Sequence, residues 1–505
     1  MPSENNNPPP RLKRNSNKIK KDNIEFLQIR YTDVPGKFLA SYISKENDHL
    51  ESIFRDGIGL DGSSVKGFAD INESDLILPP DRSTVRLTIA MPRNKIASVI
   101  ADVYRGFGLG RLFKDPRYVS QTMERYLVEN GLSCQIGSEV ECFIFDDIIF
   151  KNNSAKRSWK DYQPEIISVE RYGTGKYPIR TKGGYNAPPF QDSLTEFRFE
   201  VAEILKKHCA IKVTNLIHEV ASNGQIEINF MHSTLTRAAD NVQIYKDVVR
   251  NVAKKHNKIS NFMPKPIFNQ RNGSKMEYDD TSDNGSGMHT SISLWNNSGN
   301  DNNDKTDQST DNIFYDESDN YAELSQVARY FIGGILDHAA SLAALVTPTV
   351  NSYYRIIPGF EAPIYIAWAR GNRSAVIRIP IDKKNNFKSK RIEFRAPDPS
   401  ANPYLAFSAI VAAGLDGMKK KTDPGNPINE NMYKMSDSAR KSLRITSLPS
   451  TLGESLEALK TDSDYLKICF DGQLIETYEM LKREEIREVR KDESKARQFM
   501  LYYDV

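Results

Sequence analysis

SEVECFIFDDIIF, residues 138–150, reads as a strand by alternation. Glu139, Glu141, Phe143 and Phe145 fall on one face, Val140, Cys142 and Ile144 on the other. Two carboxylates about 7 Å apart along one strand repel each other unless a cation lies between them. IHEVASNGQIEINF, residues 217–230, repeats the theme. A two-residue Asn-Gly turn would set Glu219 and Glu227 on opposite faces. A three-residue loop of Ser222, Asn223 and Gly224 pairs them directly across the strands, with Gly224 in the left-handed third position. Like charges so opposed call for a cation again.

Working outward, residues 1–22 (MPSENNNPPPRLKRNSNKIKKD) are too polar to offset the entropy of ordering, and a disordered basic and Asn/Pro tail is expected. From Ile24 to Val103 short alternating runs predict a small β-rich domain. Within it, residues 57–81 form a Gly- and Ser-rich segment whose Leu60, Phe68, Ile71 and Leu76 argue for an ordered, functional loop. A helix opening near Pro116 marks the boundary with a larger domain. Helices are further predicted from Asp192 or Ser193, across 236–257, from Asn402 with Pro403 in its first turn, and through the charged stretch 473–491. Residues 269–283 and 296–312 are Asn/Asp-rich insertions, expected to be disordered.

Between those insertions lies NGSGMH, residues 284–289, where Gly285 and Gly287 let backbone approach a ligand and His289 offers an imidazole. A lone His is more often structural. Residues 329–380 are an apolar helical run to Pro348, then Arg355, Glu361, Arg370, Arg373 and Arg378 set in hydrophobic text. Such a cluster either neutralises several anionic oxygens at once or forms an ion-pair network. RIEFRAPDPSANPYL, residues 391–405, places Arg391, Glu393 and Arg395 on one strand face.

With 69 Lys and Arg against 66 Asp and Glu, the net charge of +3 provides no global field for nucleic acid or a membrane surface. No apolar run reaches transmembrane length, and no hydrophobic segment follows the basic N-terminus, so a cytoplasmic protein is expected. Cys134, Cys142, Cys209 and Cys469 lack metal or redox spacing and fit buried thiols in a reducing compartment.

The acidic strand positions Glu139, Glu141, Glu219, Glu227 and Glu393, with His289, make an oxygen-rich ligand set suited to Mg2+ or Mn2+ rather than zinc. Joined to the arginines, this is the inventory of a phosphoryl-transfer site. No Gly-Lys-Ser phosphate loop is present, which argues against a P-loop fold.

DGSS with INESD, EVECFIFD, HEVASNGQIEINF, NGSGMH, NSYYRIIPGFEAP, NRSAVIRIP and RIEFRAPDPSANPYL, in that order, resemble glutamine synthetase of the bacterial class I type. The resemblance runs from about residue 24 to the C-terminus. It implies an α+β fold: a β-grasp-like domain over 23–112, then a catalytic domain over 113–505 with a curved antiparallel sheet of the glutamine synthetase/guanido kinase-like type. It further implies ATP-dependent ligation of ammonia to L-glutamate through a γ-glutamyl phosphate, two or three Mg2+ or Mn2+ ions, and a dodecamer of two hexameric rings with active sites shared between adjacent subunits.

Carried onto this chain, the resemblance makes Glu141, Glu219 and Glu227 ligands of one ion and Glu139, His289 and Glu393 ligands of another. Asn284, Gly285, Arg355 and Arg395 would hold glutamate. Arg373 would stabilise the phosphoryl group in flight; Arg378, Ser293 and Lys388 would contact ATP, with Ser291 at a position where many members carry a second His. Asp61, from a neighbouring subunit, would bind and deprotonate ammonium. Glu361 would close the site and take a proton from the adduct. Tyr433 aligns with the adenylylated Tyr of some members, but its setting, NMYKMSDS, departs from their NLYDLP, so that modification is not expected. A γ-glutamyl ligase of a larger amine and a non-catalytic structural member akin to the lens homologue are the alternatives.

Overall fold

Seven short strands open the described chain: β1 (Phe26–Thr32), β2 (Phe38–Ser44), β3 (Ile58–Asp61), β4 (Asp75–Leu78), β5 (Arg86–Leu87), β6 (Ile96–Ile100) and β7 (Tyr104–Arg105). The structure is a computed structural model that describes residues 24–44, 50–87, 96–106, 108–152, 162–168, 177–222, 224–268, 283–297, 311–357, 362–491 and 495–505. The N-terminal tail, Glu361, Asn223 and most of both insertions lie outside these residues.

The strands form two sheets, ordered β2-β1-β6-β5 and β3-β4-β7, antiparallel except for the β1–β6 pair. The segment 57–81 is ordered, as expected, with Phe68 and Leu76 buried. Ile71, read as a further anchor, is instead 86% exposed.

The helix Pro116–Glu129 starts as its text predicts: Asp115 accepts a hydrogen bond from the Arg117 N–H, and Pro116 occupies the first turn. Beyond it come β8 (Leu132–Asn152), β9 (Tyr162–Ser168), β10 (Val213–His218), β11 (Gln225–Phe230), β12 (Ser233–Thr234), β13 (Ile259–Asn261), β14 (Met288–Asn296), β15 (Tyr365–Arg370), β16 (Ala375–Ile379), β17 (Ile392–Phe394) and β18 (Thr446–Ser447). They build one sheet ordered β10-β11-β8-β14-β17-β16-β15-β18, with β9, β12 and β13 also paired to β8. Only β15 and β16 pair in parallel among these described strands.

The sheet has two unlike faces because its strands alternate. Val140, Cys142 and Ile144 of β8, Ile226 and Ile228 of β11, and Ile292 and Leu294 of β14 are fully buried. Each aliphatic side chain among them contributes on the order of 1.5–3 kcal/mol. The helix Leu235–Lys255 covers this back, and its buried Tyr245 donates a hydrogen bond to the Val140 carbonyl at 3.1 Å.

The apolar run before Pro348 is two helices rather than one, Gln326–Asp337 and Ala339–Val346, separated at His338. The first crosses the helix Pro403–Lys420 so closely that a Cβ on Gly334 would stand 2.1 Å from the Ala413 carbonyl. Only glycine allows that approach. The helix after Asp192 is Thr195–His208 with Leu194 at its cap, not Asp192 or Ser193 as expected; the Asp192 carboxylate accepts from Leu194 N–H and pairs with Arg198.

Three contacts fasten the two parts together. Arg117 forms ion pairs with Asp81, Asp102 and Asp240, and Tyr404 donates to Asp240 at 2.7 Å. Asn402 caps its helix through Oδ1 while its amide N–H groups donate to the carbonyls of Asp33 and Val34. Gln243 reaches Thr32 and Gly36. Among the described residues no helix is long and apolar enough to cross a membrane.

Candidate active site

Strand register alone assembles the acidic site. Glu227 of β11 stands opposite Glu141 of β8, and Glu139 of β8 stands opposite His289 of β14. Ser291 of β14 stands opposite Glu393 of β17, which stands opposite Arg378 of β16. Residues directly opposed share a face, so one row of polar side chains crosses five strands on the side away from the apolar back.

Glu219 joins this face by a different route from the expected one. Its N–H bonds to the Gln225 carbonyl, and Glu227 is opposite Ile217, so the loop spans residues 220–224 instead of three residues. The two-residue slip preserves the face, because side chains repeat every second residue. Gly224 has φ +76, the left-handed conformation foreseen for it.

The electrostatics are those of crowded carboxylates. Burial, then the neighbouring Glu219 charge, pushes Glu141 up to about 8. Burial and the Glu141 and Glu139 charges push Glu227 up to about 9. Burial and the Arg395 charge hold His289 well below its usual range, so its ring is neutral at pH 7, the form that ligates metals.

Glu139, His289 and Glu393 each present a ligand atom within 4.8 Å of the others. Glu393 is 1% exposed, and its Oε1 is buried without a hydrogen-bond partner. A buried carboxylate oxygen without a hydrogen bond, its guanidinium neighbour Arg395 Nε standing 3.4 Å away, inside an oxygen-rich trio with one imidazole fits a hard divalent cation. Glu141, Glu219 and Glu227 adjoin that trio on the same face.

Two glycines let basic groups close on the row. A Cβ on Gly287 would lie 2.7 Å from Arg355 Nη2 and 2.9 Å from His289 Nε2, and one on Gly285 would lie 3.0 Å from Arg355 Cγ. Arg355, buried at the end of the short helix Ser352–Arg355, donates to the carbonyls of Ala396 and Arg395. Those two bonds leave three of its five N–H groups. Arg395 approaches Glu393 at 3.4 Å and donates to the Arg373 carbonyl at 2.8 Å. Arg378 pairs with Glu393, and Arg373 is exposed. Asn284 is buried with its Oδ1 unpartnered.

Such a face, acidic at its centre and flanked by guanidinium groups, is equipped to hold cations and anionic oxygens side by side. A profile described as glutamine synthetase, catalytic domain, matches residues 113–500, and one described as glutamine synthetase, beta-Grasp domain, matches residues 23–106. The chain belongs to the glutamine synthetase family.

A relative named glutamine synthetase from Sulfolobus acidocaldarius is 42% identical, covering 93% of both chains. One of the same name from Mycolicibacterium smegmatis is 38% identical, covering 96% of this chain and 98% of the relative. Among solved structures, Plasmodium falciparum glutamine synthetase superposes with a TM-score of 0.78 at 26% identity, over 94% of this chain and 96% of that one. The α+β architecture, with a β-grasp part and a mostly antiparallel catalytic sheet, is that of glutamine synthetases.

Not every family position reaches the row within this chain. Asp61 is exposed at the end of β3, its carboxylate accepting from the Ser63 and Ser64 hydroxyls. Lys388 is exposed in a short turn beside Phe387. Neither makes a hydrogen bond or ion pair to the row among the described residues. Ser293 accepts from Trp295 Nε1 at 2.9 Å. Arg370 pairs with the Tyr321 carbonyl, a structural role, and the Tyr433 hydroxyl donates to the Ala362 carbonyl at 2.6 Å.

Two polar residues of the site were not foreseen. Gln225 donates to Glu141 and to the Gly285 carbonyl, and Asn229 donates to Glu227 at 2.7 Å. Both sit two residues from Glu227 in QIEIN, so strand alternation carries the signal. Burial pushes the Cys142 thiol up to about 12 and the Cys209 thiol up to about 11, which disfavours their thiolates.

Proposed function

We propose that this chain ligates ammonia to the side-chain carboxylate of L-glutamate. ATP first phosphorylates that carboxylate to γ-glutamyl phosphate, and ammonia then displaces phosphate, giving glutamine, ADP and phosphate. The observation that carries the reading is the row Glu227–Glu141, Glu139–His289 and Glu393–Arg378 across five strands.

Glu141, Glu219 and Glu227 would hold one Mg2+ or Mn2+, and Glu139, His289 and Glu393 another. Bound there, the ions supply charge neutralisation for a migrating phosphoryl group. Asn284, Gly285, Arg355 and Arg395 orient glutamate. Arg373, exposed and free to meet the transferred phosphoryl, stabilises its charge, while Ser291, Ser293, Arg378 and Lys388 contact ATP.

Ammonium is the abundant species at neutral pH and must lose a proton before it attacks. Asp61 of the partner subunit binds it and takes that proton. The Ser63 and Ser64 hydroxyls hold the Asp61 carboxyl below its ordinary range, so the carboxylate is there to meet the cation. Glu361 closes the site and takes a proton from the adduct, protecting the acyl phosphate from water. A cytoplasmic homo-dodecamer of two hexameric rings, with Asp61 supplied from a neighbouring subunit, completes the reading.

Purified protein given glutamate, ATP, ammonium and Mg2+ or Mn2+ is expected to release glutamine and phosphate in equal amounts. Formation of γ-glutamylamides from alkylamines without glutamine from ammonium would assign the amine-ligase alternative. Unchanged ammonium-dependent phosphate release in Glu361→Ala would overturn the catalytic assignment. A monomeric native mass would contradict the shared site.

A further inference from the structure

Lys265 is completely buried, although ammonium groups avoid such positions unless something specific holds them. Its Nζ donates to the main-chain carbonyl of Asp283. Its own backbone is clamped at both ends by one side chain: Asn351 Oδ1 accepts from the Lys265 N–H at 2.8 Å, and Asn351 Nδ2 donates to the Lys265 carbonyl at 3.0 Å. The preceding carbonyl, Pro264, accepts from Ser286 N–H at 2.8 Å and lies 2.5 Å from where a Gly285 Cβ would stand.

The segment 264–265 is thus a floor beneath residues 283–286. A wall stands beside it: the Asp283 carboxylate accepts from both the N–H and the hydroxyl of Ser222 at 2.7 Å, and from the Asn284 N–H at 3.0 Å. Within this frame sits Asn284, whose Oδ1 is buried and unpartnered. Burial draws Lys265 down to about 7 against the opposing pull of Asp283, a cost that packing alone does not require.

We infer that Lys265 is a positioning residue for the substrate amino acid: by holding the Asp283 carbonyl it fixes the turn that presents Asn284 and Gly285. The inference rests on the glutamate-ligase reading of that turn. It assigns Lys265 no contact with substrate and no part in proton transfer. Its effect therefore falls on glutamate recognition rather than on nucleotide binding.

The test is steady-state kinetics on the assembled enzyme. Lys265→Met removes the donor and the charge at similar length, and is expected to raise the KM for glutamate by about tenfold, as loss of a charged hydrogen bond does, with the KM for ATP within twofold. Combined with Asn284→Ala, it should add much less than its separate effect, because the two act through one turn. Ser222→Ala loosens the other side of the frame and should raise the glutamate KM about threefold. It carries the test if Lys265→Met does not assemble.

A glutamate KM within twofold of wild type in whichever variant assembles, or a fall in kcat at unchanged KM, would overturn the inference. Wild-type enzyme that makes no glutamine would instead overturn the functional reading beneath it.

Discussion

Glu141 and Glu227 face each other in register on neighbouring antiparallel strands, both buried, and their hydrogen-bond partners are amides rather than cations: Gln225 and the Gly287 N–H for one, Asn229 for the other. Each binds its proton more tightly folded than unfolded. Their contribution to the metal-free protein is therefore complete below about pH 4.5 and is lost as pH rises through 8 to 9. Glu227→Gln should flatten that loss while weakening Mn2+ binding by at least about tenfold. Thermal unfolding from pH 6 to 9, with and without Mn2+, reads both effects. An intact Mn2+-induced rise in melting temperature would remove Glu227 from the metal site.

Arg117 answers three carboxylates drawn from both parts of the chain. Arg117→Met leaves buried Asp240 without its guanidinium partner and should cost about 3–5 kcal/mol. Urea unfolding measures it, and a loss below about 1 kcal/mol would mean that the network is well hydrated.

Arg373 is exposed beside the row, with its carbonyl tied to Arg395. Arg373→Ala should lower kcat by about a thousandfold, the scale on which a guanidinium stabilises a moving phosphoryl group, with a small change in glutamate KM. An equal rise in KM for ATP with kcat preserved would make it a ground-state nucleotide contact instead.

His338, at the break between two helices, bonds through Nδ1 to Asp462 and through Nε2 to Asp416, each at 2.9 Å, and stacks on Tyr465. Against the opposing effect of burial, the two carboxylates raise it above its ordinary 6.5. A His with a raised folded value stabilises fully below about pH 6.5, and the gain is lost as pH rises through the raised value. His338→Gln should therefore cost about 2 kcal/mol at pH 6 and progressively less toward pH 9. Equal destabilisation at both ends would show that the ring acts by packing alone.

Alternation carried much of the site. Glu139, Glu141 and Glu393 sit where a period of two puts them, and Gln225 and Asn229, two residues to either side of Glu227, follow from the same rule; His289 is legible only through its Gly-rich motif. The loop after Glu219 was misread because a Gly in the left-handed region fits loops of several lengths, and only cross-strand pairing selects among them. The helical run to Pro348 read as continuous because His338 is no breaker by propensity; its two aspartates come from elements 78 and 124 residues away. Likewise nothing in MPKP announces that Lys265 is buried, since its carbonyl partner lies across the insertion.

Asn402 starts a helix with one atom of its side chain and docks the first strand hairpin with another. An Asp or Ser there would satisfy the helix equally well and forfeit the dock. Helix initiation in the large part and attachment of the small part are thereby a single event, reinforced by Arg117. The N-terminal strands are not a module that can be trimmed or exchanged: removing them takes two of the three carboxylates from the buried Arg117 and the acceptors from the Asn402 and Gln243 amides, so the two parts should melt together in one cooperative transition.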